Sequence, residues 1–433
     1  MPTPQFKDYR AHAQALIDAA LQAADPAAAL ARHWDDAALG EEVVLLAIGK
    51  GSRPMALEAL RRLGPRTIAG LITTPPDQAD PADFAPWPVR VMPCDHPFPT
   101  QRNLDAARAA RDLVSQASHH HTLLCLITGG GSAHLTLPAD DLTIDDIAAV
   151  TRALQRAGAT IDELNCVRKH CEQLKGGRLA TLSGAGKLIA YILSDVMGDK
   201  LDVISSGPTV PDPTTFAQGL EVLLARGCDA ASPAITAHLR RAADETPKPS
   251  HPAFARVTNT IIASNRLVVD AVAAAADSLG FSPQLLDYDR EGEAAGVGSR
   301  LASEVAASLL RRREQIAYIM GGETTVTVGS ATGLGGPSQE IALAWAHAVA
   351  VLGLHPAALL TLSTDGRDGP TDAAGAIVTT TTSAEARRVR LDLAAALASH
   401  DAYHALDKLG ALIRVPPTGT NLNHIAALLT YPP

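Results

Sequence analysis

Lysine, glycine and carboxylate residues recur in this sequence directly after short apolar runs, which is where an open α/β sheet presents its ligand-binding loops. The run VVLLAI (43–48) is followed by GKGS, which sets Lys50 beside Gly49 at an expected helix start. There an ammonium and backbone N–H groups suit a phosphate. A tight turn carrying a solvated lysine accounts for the same four residues. The run TLLCLIT (122–128) is followed by GGGSA, so that Gly129, Gly130, Gly131 and Ser132 let the backbone approach an anion closely. After LIAYILS (188–194) come Asp195 and Asp199, two hard carboxylates four residues apart, of the kind Mg²⁺ takes one or two at a time. A loop whose acids only accept backbone N–H groups has the same composition.

Two later loops repeat the pattern. AYIMGGETTVTV places Glu323 and Thr324 at a strand turn, and STDGRDGPTD places Asp365, Asp368 and Asp372 after another apolar run. Asx turns explain any one of these aspartates. Turn chemistry does not require lysine or paired acids, so the repetition itself points to a functional rim.

In NCVRKHCEQLKGGRLA, residues Arg168, Lys169, His170 and Lys175 form a basic cluster on an expected helix closed by Gly176 and Gly177. Such a cluster suits a carboxylate or phosphate, and a solvated basic face has the same spacing. Cys166 and Cys171 are poorly spaced for zinc and are expected to pack. The histidines at 119–121 suggest adventitious metal binding at most. There is no GxxxxGK[ST], so Lys50 is outside a Walker loop. There is no GxGxxG after a strand with an acid about twenty residues on. GSATGLGG at 329–336 departs from that spacing.

These loops need rigid elements behind them. TIAGLIT (67–73) and VRVMP (89–93) join the three runs above, all apolar on both faces as in a covered parallel sheet. A helix opens at Thr143 with Asp145 and Asp146 in its first turn. An N-terminal helix carries Leu16, Ile17, Ala20 and Leu21 on one side. The polar stretch DETPKPSHPAF lies within the texture change over residues 228–258 that marks a boundary. A second series follows through TIIAS (260–264), QLLD (284–287), AYIM (317–320), TTVTV (324–328) and ALLTLS (358–363), with helices between. The expected domains are therefore residues 1–240 and 241–433, both with strict strand and helix alternation, and with a cleft between them. The last helix has the option of packing back on the first domain.

The chain has 433 residues, 46% hydrophobic and 19% charged, too long for one ordinary core and neither disordered nor fibrous. A net charge of −9 and 3% aromatics argue against nucleic acid. No apolar run reaches membrane-spanning length, and the start MPTPQFKDYR lacks a signal core. Five cysteines give no disulfide framework, so reduced thiols and a cytoplasmic location are expected.

VVLLAIGKGS, DHPFPTQRNLDAA, LITGGGSA, DELNCVRKHCEQLKGGRLA, SDVMGDKLDVISSGPTVPDPTT, GGETTVTVGSATGLGGPSQE, STDGRDGPTDAAGA and TGTNLNH, in this order, resemble the landmarks of the MOFRL-type (class II) glycerate 2-kinases. Members of that family have been labelled hydroxypyruvate reductases of tartrate degradation. The blocks span residues 43–424. The resemblance implies a Rossmann-like N-terminal α/β/α domain, a C-terminal MOFRL α/β domain, and a site in the cleft between them. It also implies phosphoryl transfer from ATP to the 2-hydroxyl of D-glycerate with Mg²⁺. On it, Lys50 stabilises the transferring group, with Asp195 and Glu323 as its catalytic companions. Asp195 and Asp199 hold metal or orient the hydroxyl, and Asp365 and Asp368 complete the cleft. Arg168 and Lys169 take the glycerate carboxylate. Gly49, Gly129, Gly130, Gly131, Ser132, Asn265, Thr324, Gln339 and Asp365 are the further binding positions.

One block departs from the family. GLGGPSQE stands where GRGGRNQE is common, so Leu334, Pro337 and Ser338 replace two basic residues and an asparagine, while Gln339 and Glu340 remain. Proline cannot supply an arginine's donors. Arg367 or Arg53 takes over the charge, or the substrate differs, or activity is reduced. The competing functions are an NAD(P)H-dependent hydroxypyruvate reductase and a non-catalytic small-anion-binding relative. The expected partner is a small-molecule substrate, with a homodimer allowed and neither nucleic acid nor membrane.

Overall fold

The sequence VVLLAI forms β1 (Val43–Ile48), buried at every position, and β4 (Thr122–Ile127) is equally buried. Strands without inside and outside faces must be covered on both sides, which is the condition of a parallel sheet between helices. With β2 (Thr67–Thr74), β3 (Val89–Pro93), β5 (Lys187–Leu193) and β6 (Val257–Ala263) they form a sheet in the order β3-β2-β1-β4-β5-β6. The β3–β2, β2–β1, β1–β4 and β4–β5 pairs are parallel. This is the doubly wound order, and its direction reverses between β1 and β4. The computed structural model describes residues 4–311, 315–350 and 355–431.

A second six-stranded sheet is built from β7 (Ser282–Glu293), β8 (Ile316–Thr325), β9 (Ala357–Ser363), β10 (Gly375–Thr379), β11 (Leu412–Ile413) and β12 (His424–Thr430). Its order is β11-β10-β9-β12-β8-β7; only β7 and β8 are parallel. The helix Pro337–Val349 packs on it with Trp345 fully buried among Leu359, Val378 and Leu428. Truncating that tryptophan would cost about 3–5 kcal/mol.

The chain divides into two units, residues 26–262 and residues 1–25 with 263–433. The expected break after residue 240 is therefore displaced, because β6 closes the first sheet instead of opening the second. The N-terminal helix Tyr9–Ala24 packs on the helix Asn265–Ser278 in the second unit, where His12 meets Phe281 and Tyr431. The expected terminal helix is instead β12. TTVTV is not a strand of its own, since β8 runs on through Thr325. Strict alternation fails in the second half because β9, β10 and β12 pair antiparallel.

Within the first unit, the helices Ile144–Arg156, Ile161–His170, Phe216–Ala225 and Pro233–Arg241 share a core around Leu154, Val167, Phe216 and Leu239. Capping boxes at Thr143, Thr160 and Thr215 start three of them. The helix begun at Thr160 ends at His170, well before the expected Gly176, and carries the basic residues toward the sheet's loops.

Candidate active site

The register of the first sheet places Ile48 beside Ile127, and Ile127 beside Ile192. Three consecutive parallel strands therefore end side by side, and the residues following them must share one edge. That is how GKGS, GGGSA and the Asp195 loop come together from positions far apart in sequence.

In GKGS the backbone is committed. The N–H of Gly49 goes to His134 Nδ1 (3.2 Å), that of Lys50 to the Gly129 carbonyl (2.8 Å), and that of Gly51 to Thr128 Oγ1 (3.0 Å). Ser52 N–H reaches the Gly49 carbonyl at 3.3 Å. The expected backbone cradle at this turn is therefore absent, and what it offers is the Lys50 side chain. Gly49 has φ +103°, and a Cβ there would sit 2.4 Å from Thr128 Oγ1, so only glycine fits. The three-glycine turn is different. Among the described residues nothing accepts the N–H groups of Gly130 or Ser132.

Gly130 lies against both Lys50 and His96, since a Cβ on it would be 3.2 Å from Lys50 Cγ and from His96 Cδ2. Gly129 lies against Asp195 so closely that its Cβ would be 2.2 Å from Oδ2. Burial raises the Asp195 carboxyl above the ordinary range, and the Lys50 charge acts in the opposite sense. His96 is pushed down to about 4 by burial, reinforced by the positive charges of Lys50 and Arg168. It is neutral at pH 7.

Arg168 is half-buried on the helix Ile161–His170, and burial lowers its pKa. Among the described residues neither the Arg168 guanidinium nor the Lys50 ammonium has a hydrogen-bonding partner. The rest of the expected basic cluster is spent. Lys169 Nζ holds Asp202 (2.9 Å) and the fully buried Asp212 (3.4 Å), so its assignment to a substrate carboxylate is corrected to a structural ion pair. His170 Nε2 lies 2.8 Å from Glu245, and Lys175 pairs with buried Glu172. Only Arg168 remains for a ligand.

Asp199 sits at φ +54° with no hydrogen bond to its carboxylate among the described residues. Ser205 and Ser206 are also left-handed, at φ +50° and +60°, in the ISSG loop. Such a run of strained residues is held by its surroundings. Ser205 Oγ donates to the Thr128 carbonyl (3.1 Å), and a Cβ on Gly131 would be 2.3 Å from that oxygen. Ser132 Oγ lies 2.7 Å from Ser206 Oγ, which in turn lies 2.9 Å from Asn165 Oδ1. His96, Asn165, Ser206 and His134 escaped the sequence reading as individual residues. Their only signal was that DHPFPT, DELN and ISSG follow or face the same loops.

The second unit has its own polar edge where β8 and β9 end and β12 begins. Thr324 N–H donates to His424 Nε2 (3.0 Å), and its buried hydroxyl has no hydrogen-bonding partner among the described residues. Burial lowers the His424 pKa, with the Asp365 charge opposing. Asp365 accepts from Ser363 Oγ and Arg367 N–H, each at 2.9 Å. Glu323 is exposed on β8 of this unit. Asn265 Nδ2 holds the carbonyls of Leu422 (2.7 Å) and His424 (3.0 Å), which pins the start of β12. Gln339 is buried and bonds Thr371 Oγ1 and the Asp368 carbonyl. These two binding candidates, with Asp368, serve the framework of the edge. Asp372 pairs with Arg414. Pro337 occupies the first position of its helix, where a missing N–H costs nothing.

Among the described residues no cluster of three or more His, Cys, Asp or Glu side chains could hold a metal, and no helix is long and apolar enough to cross a membrane. All five cysteines are free and buried.

A doubly wound sheet whose switch point carries an unpaired lysine, a triple-glycine turn and a half-buried aspartate is an anion-handling site of the phosphotransferase kind. A family model described as a domain of unknown function, DUF4147, matches residues 12–240, and the MOFRL family model matches residues 316–424. The chain is 38% identical to the glycerate 2-kinase of Pyrococcus horikoshii, over 78% of this chain and 77% of that one. It is 35% identical to a putative hydroxypyruvate reductase of Agrobacterium vitis, over 96% and 93%. The solved glycerate kinase of Thermotoga maritima superposes with a TM-score of 0.89 at 34% identity, over 98% of this chain and all of that one. The chain belongs to the DUF4147 and MOFRL family of class II glycerate kinases.

Proposed function

We propose that this chain transfers the γ-phosphoryl group of ATP to the 2-hydroxyl of D-glycerate, giving ADP and 2-phosphoglycerate. The observation that carries the reading is the edge where Lys50, the Gly129–Ser132 turn and Asp195 meet, with Lys50 and Arg168 left unpaired. Arg168 binds the glycerate carboxylate. Asp195, its affinity for protons increased by burial, takes the hydroxyl proton as the C2 oxygen bonds to phosphorus and the bond to the β-phosphate oxygen breaks. Lys50 and the free N–H groups of Gly130 and Ser132 balance the charge on the transferring group. His96, neutral at pH 7, adds no charge that would hold the phosphoryl group in its ground state.

The donor set fits Mg²⁺, which retains most of its water and needs only one or two carboxylates. The uncommitted Asp199 would hold it, leaving Asp195 free to take the proton, and when bound it would neutralise phosphate oxygens.

The doubly wound strand order also suits a dinucleotide, which favours the reductase as a second reading. Against it, the β1 turn is GKGS, whose backbone N–H groups are already bonded and cannot receive a pyrophosphate. The deciding assay supplies D-glycerate with MgATP and identifies the phosphoglycerate isomer, beside hydroxypyruvate with NADH or NADPH. The expected result is ADP with 2-phosphoglycerate, abolished by chelation of Mg²⁺. Nicotinamide oxidation without ADP would overturn the reading.

A further inference from the structure

The hydrogen-bond chain Ser132–Ser206–Asn165 has a fixed direction. The amide oxygen of Asn165 can only accept, so the Ser206 hydroxyl, at 2.9 Å, donates its one proton there. The 2.7 Å contact between the two serines then needs its proton from Ser132. Ser206 and Asn165 are buried at 0% and 2% exposure, so no solvent competes for these protons. Ser132 is half-buried, its proton points inward, and it presents only lone pairs to the site.

A hydroxyl in that state repels carboxylate and phosphate oxygens and suits a donor. It therefore does not extend the anion cradle formed by the N–H groups around it. Asn165 lies one helical turn before Arg168, so the acceptor is anchored on the helix that carries the unpaired guanidinium. A cation for a carboxylate and an acceptor for a hydroxyl are thus tied to one helix.

We propose, resting on the kinase reading, that Ser132 is a specificity-determining residue. It accepts a hydrogen bond from the 3-hydroxyl of D-glycerate, the hydroxyl that is not phosphorylated, and so selects vicinal dihydroxy acids over 2-hydroxy acids that end in a methyl group. Ser206 and Asn165 act through it by holding its proton inward.

The test compares the KM for D-glycerate with the inhibition constant of D-lactate, which lacks only the 3-hydroxyl. Both are measured in the wild type, Ser132→Ala and Ser206→Ala, together with the KM for MgATP and thermal melts. In Ser132→Ala the ratio of the D-lactate constant to the D-glycerate KM falls about tenfold, the weight of one hydrogen bond, while the MgATP constant stays put. Ser206→Ala moves the ratio the same way with Ser132 still present, because the Ser132 proton is released to point outward. An unchanged ratio, parallel loss for both acids, or a raised MgATP KM would overturn the proposal. A wild type that forms no phosphoglycerate would overturn the kinase reading and this one with it, whereas a turning-over wild type with an unchanged ratio in the variants overturns this one alone.

Discussion

Asp368 takes the backbone N–H groups of Ser338 and Gln339, at 2.9 and 2.8 Å, one on each carboxylate oxygen. The residue before this helix is Gly336, which has no side chain to do so. Asp368 is thus a cap delivered from another loop. Asp368→Ala is expected to lose about 1–2 kcal/mol, read from the urea midpoint.

The same carboxyl is pushed up to about 7, chiefly by burial. Its folded value lies above its unfolded one near 4. Between those values the native state binds a proton that the unfolded state has released, so this group's contribution to stability falls as pH rises from about 4 to 7. Urea unfolding at pH 5 and pH 8 should show a smaller loss of stability across that interval in Asp368→Asn than in the wild type. Equal losses in the two proteins would remove Asp368 from the pH dependence.

Gly129→Ala introduces a methyl group 2.2 Å from Asp195 Oδ2 and 2.8 Å from its Cγ. The carboxylate must move. Turnover is expected to fall about a hundredfold, the cost of misplacing a reacting group by about an ångström, with circular dichroism unchanged. Full activity in that variant would mean that Asp195 has no fixed place in the chemistry.

Three neighbouring cations should fail in three different ways. Lys50→Ala lowers kcat by about two to three orders of magnitude with the D-glycerate KM little changed. Arg168→Ala raises that KM by one to two orders, roughly the loss of a charge-assisted hydrogen bond. Lys169→Ala takes the ammonium from buried Asp212, which keeps its hydrogen bonds from Thr214 and Thr246, and should lower stability by about 3 kcal/mol, seen in the melt before it is seen in the kinetics. All three lie in the unit of residues 26–262, so the contrast among them tests the roles rather than the unit that carries them.

Of the two arginines that stand as alternatives for the family's missing charge, Arg53 is held by Asp83 at 2.5 Å. Arg367 is exposed, with no partner for its guanidinium among the described residues. Arg367→Ala is expected to lower kcat/KM about tenfold and Arg53→Ala to leave it within twofold. The reverse order would assign the charge to the first unit.

The first five strands were legible in the sequence because buried parallel strands are continuous apolar runs. The loops after them were legible because register brings consecutive strand ends together. β12 was not, since HIAALLT has no alternation and reads equally as helix. The Lys169 assignment failed for a related reason. Spacing placed it beside Arg168, but only the fold could bring Asp202 and Asp212, more than thirty residues away, onto its ammonium. Likewise GKGS looked like a phosphate turn until His134 and Thr128, from elsewhere in the chain, were found holding its N–H groups.

The helix Tyr9–Ala24 belongs with residues 263–433, so the first unit is an insertion within the second. On a ribosome that helix emerges some 240 residues before its packing partner Asn265–Ser278. At about 5–20 residues per second the wait is on the order of tens of seconds, during which the face of Leu16, Ile17 and Ala20 has nothing to cover it. The sheet of residues 26–262 can meanwhile fold around its own strands. The order of synthesis therefore completes the Lys50 edge first and closes the second unit last.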